Sequence, residues 1–241
     1  MIVNPTQNGW EVIYQPAHAL LAAQIAAYWR EDQRPQRWIE TLVALAQHDD
    51  EARDWTTRDH LTDSGAPLDF SLNKVPSLIQ PSEVTRNLQY KGQWAVLLIS
   101  MHMIFLYGDL KDSSKEFAAF INQQLEHQKR WRSALKITKA EAETAYALFQ
   151  WCDRMSLILC RHELPEAERS LEVSDGPDGT HYDVLCRDGS VIVQPWPFEP
   201  SHFTVSVETI RLSQLSFKND PELQAALQAT PVTYQSWNFS K

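Results

Sequence analysis

The spacing of apolar residues divides this chain into three stretches, and that division constrains the fold more than any motif. Between residues 16 and 165 apolar side chains recur every three or four positions, the period of a helix. Before residue 16 and after Pro165 they alternate, the period of a strand. Such a chain is predicted to be α+β: a helical bundle over 16–165, with a small antiparallel sheet formed from the N-terminal strands (1–15) and a C-terminal β-rich part (166–241). Only seven glycines in 241 residues argue against a glycine-rich phosphate loop or an all-β architecture.

The helix signals are specific. Pro16 opens a helix whose stripe runs His18, Leu21, Ala22, Ile25 and Trp29. Pro35 starts a second, with Trp38, Leu42, Leu45 and Asp49 on one face. Residues 56–80 are rich in Thr, Asp, Ser and Pro and read as a long connection of the kind that is usually functional or mobile. A third helix is expected over 92–107 with Gly108 as its C-cap, and a fourth from Ser113 or Ser114 to about residue 136. Thr138 and Glu141 form a capping-box pattern for a fifth over 139–162. Beyond Pro165 the alternation gives three or four strands with a turn at Asp188-Gly189, a short helix at 220–228 and a last strand from Thr233 to Phe239.

Composition narrows the function. A net charge of −9, with no block of Lys and Arg, opposes binding to nucleic acid. Cys152, Cys160 and Cys186 form neither a disulfide framework nor a zinc knuckle and read as free thiols. No signal peptide is visible, and the run Ala95 to Leu106 is too short to span a membrane, so the expectation is a cytoplasmic bacterial protein without a membrane partner. A homo-oligomer is compatible with the sequence. There is no P-loop, paired GxGxxG, HExxH or nucleophile elbow.

The chemistry is concentrated where "ALAQHDDEARDW" carries an apolar helix into His48-Asp49-Asp50-Glu51. Asp49 lies on the stripe of Trp38, Leu42 and Leu45, and burying a carboxylate there costs several kcal/mol unless a cation compensates. Three other helices repeat the oddity, with His18, His102 and Asp153 each placed on an otherwise apolar face. Taken singly, His102 reads as a hydrogen-bonded core histidine and Asp153 as a partner of Arg154 or a cap. Taken in order across separate helices, imidazoles and carboxylates suit a divalent metal such as zinc, iron or manganese.

The order His18, His48-Asp49, Asp153 resembles the HD superfamily of metal-dependent phosphohydrolases, named for an adjacent His-Asp pair. "VALAQHDD" is similar to the end of that family's second core helix, and "CDRMSL" to its late Asp segment. "QPAHALLAAQIAAYW", "LISMHMIFLYG" and "CDRMSLILC" more closely resemble an uncharacterised bacterial family, an HD-like domain of unknown function with β elements, over residues 1–165 and more weakly beyond. The resemblance implies a compact bundle with an all-helical core. It makes His18, His48, Asp49 and Asp153 the ligands of a divalent metal (Zn, Mn, Fe or Mg). It also implies hydrolysis of a small phosphorylated or related molecule, with Asp49 or Asp153 relaying a proton and His102 contacting substrate, a second metal or a ligand. HD hydrolases follow the pair with Gly and often Lys; here Asp50-Glu51-Ala52 follows, which counts against hydrolysis more than against metal binding.

Two rival functions follow: a two-metal HD-type oxidase and a non-catalytic binding or scaffold protein. The oxidase needs His127, 25 residues after His102, to face inward, yet Glu126, Gln128, Lys129 and Arg130 surround it with charge and favour a solvated position. Asp50 and Glu51 read either as a charged helix end or as groups supporting the ligands. Asp54 and His60 read as loop surface, and His162, His181 and His202 lie outside the helical core pattern. The expected geometry is convergence of His18, His48, Asp49 and Asp153 within about 5 Å, with His102 in the same pocket and His127 outside it.

Overall fold

A computed structural model describes residues 1–50, 60–72, 92–167 and 169–241. Two strands, β1 (Ile2–Thr6) and β2 (Gly9–Ile13), precede α1 (Gln15–Ala27), which has Pro16 in its first turn. Next come α2 (Trp38–Gln47), α3 (Gln93–Tyr107), α4 (Lys115–Leu135) and α5 (Lys139–Cys160). Strands β3 (Leu171–Asp175), β4 (His181–Arg187), β5 (Ser190–Gln194) and β6 (His202–Leu212) follow, then α6 (Asp220–Ala229) and β7 (Val232–Ser240).

The caps of the fourth and fifth helices fall where the sequence places them, whereas α2 opens at Trp38, three residues past Pro35. The Ser114 hydroxyl accepts from the Phe117 amide, and Thr138 with Glu141 closes both halves of a capping box. The fourth helix ends at Lys136 in the left-handed conformation.

The sheet overturns the expected fold class. Among the described residues it is not a small antiparallel appendage to a helical bundle but seven strands in the order β1-β2-β6-β7-β5-β4-β3. It is mixed: β7 runs antiparallel to β6 and parallel to β5. Two physical reasons explain the underestimate. The strand β3 reads "LEVSD", whose charges hide its alternation, and strand order depends on long-range pairing that local periodicity does not encode.

An all-helical core is overturned as well. Helices and sheet share one apolar core, in which Trp29 of α1 and Trp151 of α5 meet edge to face and both abut Tyr182 of β4 and Phe198. A smaller cluster places Leu223 and Leu227 of α6 with Val12 and Ile210. The apolar run of α3 also extends further than its sequence suggested. Gln93–Leu110 is long and apolar enough to cross a membrane by length and composition, and half of it is buried within this fold.

Within residues 60–72, the described part of the long connection, Asp69 and Phe70 bond to the N-terminal residues, and the Gly65 carbonyl accepts from the Phe217 amide. The Val3 amide donates to Asp69 Oδ2 at 2.8 Å and the Phe70 amide to the Met1 carbonyl at 2.9 Å.

Candidate metal centre

Helices α1, α2 and α5 pack on one another and α3 closes against α2 and α5, which brings five polar residues into one buried spot. His18 sits one turn into α1. His48 caps the C-terminus of α2 and Asp49 follows it, so the pair lies where the helix releases the chain. Asp153 stands midway along α5 and His102 on α3. All five are at least nine-tenths buried.

The contacts form a chain. His18 Nε2 lies 2.6 Å from Asp49 Oδ2, and His48 Nε2 lies 3.0 Å from Asp153 Oδ1. Longer approaches of 3.8 Å (His48 Nε2 to Asp49 Oδ2) and 3.9 Å (His18 Nδ1 to Asp153 Oδ1, and His102 Nε2 to Asp153 Oδ2) complete it. The three rings meet edge to face, with centroids 5.1 Å apart for His18 and His48 and 5.2 Å for His48 and His102. Two overlapping ligand sets result, His18-His48-Asp49 and His48-His102-Asp153. Within each set the donor atoms lie within 4.8 Å of one another.

The backbone and one hydroxyl fix the tautomers. His48 Nδ1–H donates to the Leu45 carbonyl at 2.7 Å. The Ser156 hydroxyl donates to the Asp153 carbonyl at 2.8 Å, so its oxygen accepts from His18 Nδ1–H at 3.0 Å. Both Nδ1 positions are therefore protonated, and both Nε2 lone pairs face carboxylate oxygens. A lone pair against a carboxylate is repulsive, and either a proton on Nε2 or a cation between the groups relieves it.

The protein's own charges answer with protons. Burial alone would lower the His48 pKa, but Asp49 and Asp153 outweigh burial and hold it at about 9. Burial would raise both carboxyls. His48 with His18 at Asp49, and chiefly His48 at Asp153, instead keep them below the usual carboxylate range. His102 is pushed down to about 4 by burial, so its ring stays neutral; its Nδ1 meets the Tyr146 hydroxyl at 3.3 Å. Two carboxylates held ionised in a buried pocket, facing imidazole Nε2 atoms, fit the nitrogen and oxygen donors a divalent transition ion selects.

The other expected residues are elsewhere. His127 is half-buried on α4 with its ring against Trp131, 5.3 Å between centroids, and belongs to neither ligand set. Asp50 is exposed just past α2, and its amide donates to the Gln47 carbonyl. Glu51 and Asp54 lie outside the described residues. The His60 amide meets Asp220 at the start of α6, His181 pairs with Asp175, and His202 meets Ser201. Sequence reasoning passed over Ser156, Tyr146 and the Leu45 carbonyl as parts of the site. The first two carried a signal: they lie three residues after and seven before Asp153, on the same helix face.

No curated protein and no solved structure matches the chain. A family model covers most of it, through the end of β6 and short of α6 and β7. With residues 1–214 matched, the chain belongs to the family described as Protein of unknown function (DUF3891).

Proposed function

We propose that this protein is a metal-dependent hydrolase of the HD type, acting on a small phosphate ester or related molecule. The observation that carries the reading is the chain of contacts joining His18, His48, Asp49 and Asp153 across two overlapping donor sets that share His48, with both Nδ1 protons already committed. A bound divalent ion would supply Lewis acidity and bring the pKa of a coordinated water toward neutrality.

The protein's own groups divide the remaining work. His18 and His48 offer Nε2, and Asp49 and Asp153 contribute two negative charges. A carboxylate oxygen left outside the ligand set takes the proton released by the attacking water. In the tautomer whose Nδ1 accepts from the Tyr146 hydroxyl, neutral His102 carries its proton on Nε2, on the side of Asp153, and is placed to steady negative charge developing on substrate. The position of His127 favours a single-metal reading over a two-metal oxidase.

A second reading, a metal-binding protein without turnover, draws support from Asp50-Glu51-Ala52 standing where HD hydrolases carry Gly and Lys. Elemental analysis of purified protein, followed by a screen of phosphomonoesters and nucleotides, separates the two. Stoichiometric metal with turnover that disappears in Asp153→Asn supports the hydrolase. Metal without turnover supports the binder, and protein that takes up no divalent ion defeats both.

A further inference from the structure

A second polar cluster lies on the opposite end of α5 from its capping box, over the first two strands. The register across β1, β2 and β6 sets Asn4, Glu11 and Arg211 directly opposite one another, one per strand. The chain leaving α5 brings His162 over this row. Glu11 is 4% exposed at its side chain, and it accepts from His162 Nε2 at 2.7 Å, Arg211 Nη2 at 3.3 Å and Asn4 Nδ2 at 3.4 Å. Asn4 also donates to the Cys160 carbonyl at 2.8 Å, tying the end of α5 to the sheet.

Pinning a helix end explains Asn4 and Glu11 but not the rest. His162 adopts the left-handed conformation, φ 55°, just past the helix, where glycine or asparagine is the ordinary choice and a Cβ costs about 1 kcal/mol. A cavity of about 710 Å³ opens there, bounded by the turn at 5–8 on one side and by Arg161, His162 and Arg211 on the other. One carboxylate serves both His162 and Arg211, while the Arg211 side chain remains 67% exposed and that of His162 48%. Arg161 stands beside them, its Nε 3.3 Å from Glu163. The hydrogen bond that His162 donates to Glu11 holds the His162 pKa above its ordinary value, so the ring keeps its proton to higher pH than a free imidazole. The result is a local excess of positive charge in a chain of net charge −9.

We propose that this cavity binds a small multivalent oxyanion, phosphoryl or dicarboxylate, between the His162 imidazole and the Arg211 guanidinium, with Glu11 as the fixed anchor of both. Guanidinium and imidazolium donors give charge-assisted hydrogen bonds to such an anion. The site is separate from the metal centre: Asp153 lies seven residues, roughly 10 Å of helical rise, before the end of α5 at Cys160, and His162 lies beyond that end.

Calorimetric titration of the purified protein with inorganic phosphate, succinate and chloride at matched ionic strength tests this, with and without a chelator. The expected result is saturable one-to-one binding of phosphate or succinate that chelation leaves unchanged. Tighter phosphate binding identifies a phosphoryl ligand, and tighter succinate binding a dicarboxylate. Arg211→Gln and His162→Asn should each weaken binding at least tenfold; both keep the fold accessible, because Arg211 is exposed and asparagine tolerates the left-handed backbone. Absence of saturable binding, equal heats with chloride, loss of binding on chelation, or variants that bind like wild type would each overturn the proposal.

Discussion

At the residue scale the centre depends on which nitrogen of each ring holds a proton. Ser156 decides this for His18, because its own hydroxyl is spent on the Asp153 carbonyl and only its lone pairs face the ring. Ser156→Ala leaves every ligand in place but removes that acceptor. Groups that orient a ligand in this way are typically worth about 10- to 100-fold in metal affinity. The expectation for Ser156→Ala is therefore a loss of affinity in that range, measured by competition with a calibrated chelator, with a change in metal-free melting temperature too small to account for it. Asp49 was legible in the sequence because a carboxylate on an apolar stripe needs an explanation. Ser156 carried only its spacing from Asp153 as a signal, a weak one because a serine in a helix interior more often bonds its own backbone, and here it does so while also serving His18.

Among the elements, helix ends were easier to read than strands. The capping box at Thr138 and Glu141 needs only four residues of sequence, and the structure forms both of its bonds. Thr138→Ala should cost about 1 kcal/mol by urea unfolding, without changing metal content. The Glu11–His162 tie was invisible by the same logic, since it joins β2 to the exit of α5 across 151 residues. Its pH dependence has a definite sign. The His162 pKa is raised from 6.5, so that contribution is complete below about pH 6.5 and is lost as pH rises through the folded value. The Glu11 pKa is lowered from 4.5, chiefly by the same hydrogen bond, so that contribution is complete above about pH 4.5 and is lost as pH falls. The melting-temperature difference between wild type and Glu11→Gln should accordingly be largest between pH 4.5 and 6.5 and shrink on both sides. Half-exposure of His162 limits the tie to about 1 kcal/mol.

For the whole molecule the decisive element is β7. It joins two antiparallel triplets, β1-β2-β6 and β5-β4-β3, that have no other pairing with each other in the sheet. Its anchor is Phe239, 1% exposed, stacked on Phe203 at 4.6 Å and edge-on to Phe198 at 5.6 Å. Phe239→Ala should cost about 3–5 kcal/mol in equilibrium unfolding, through lost burial and a cavity at the seam. A loss under about 1 kcal/mol would mean that the triplets hold together without it.

Order of synthesis gives this topology a further meaning. All five residues of the candidate metal centre have been translated by position 153, but the strand that bridges the sheet spans 232–240 and leaves the ribosome after them. Until it emerges, a nascent chain presents the unpaired edges of β5 and β6 to its neighbours. Open strand edges of this kind recruit other chains, so the interval before the last strand arrives is when this protein is most exposed to misassembly.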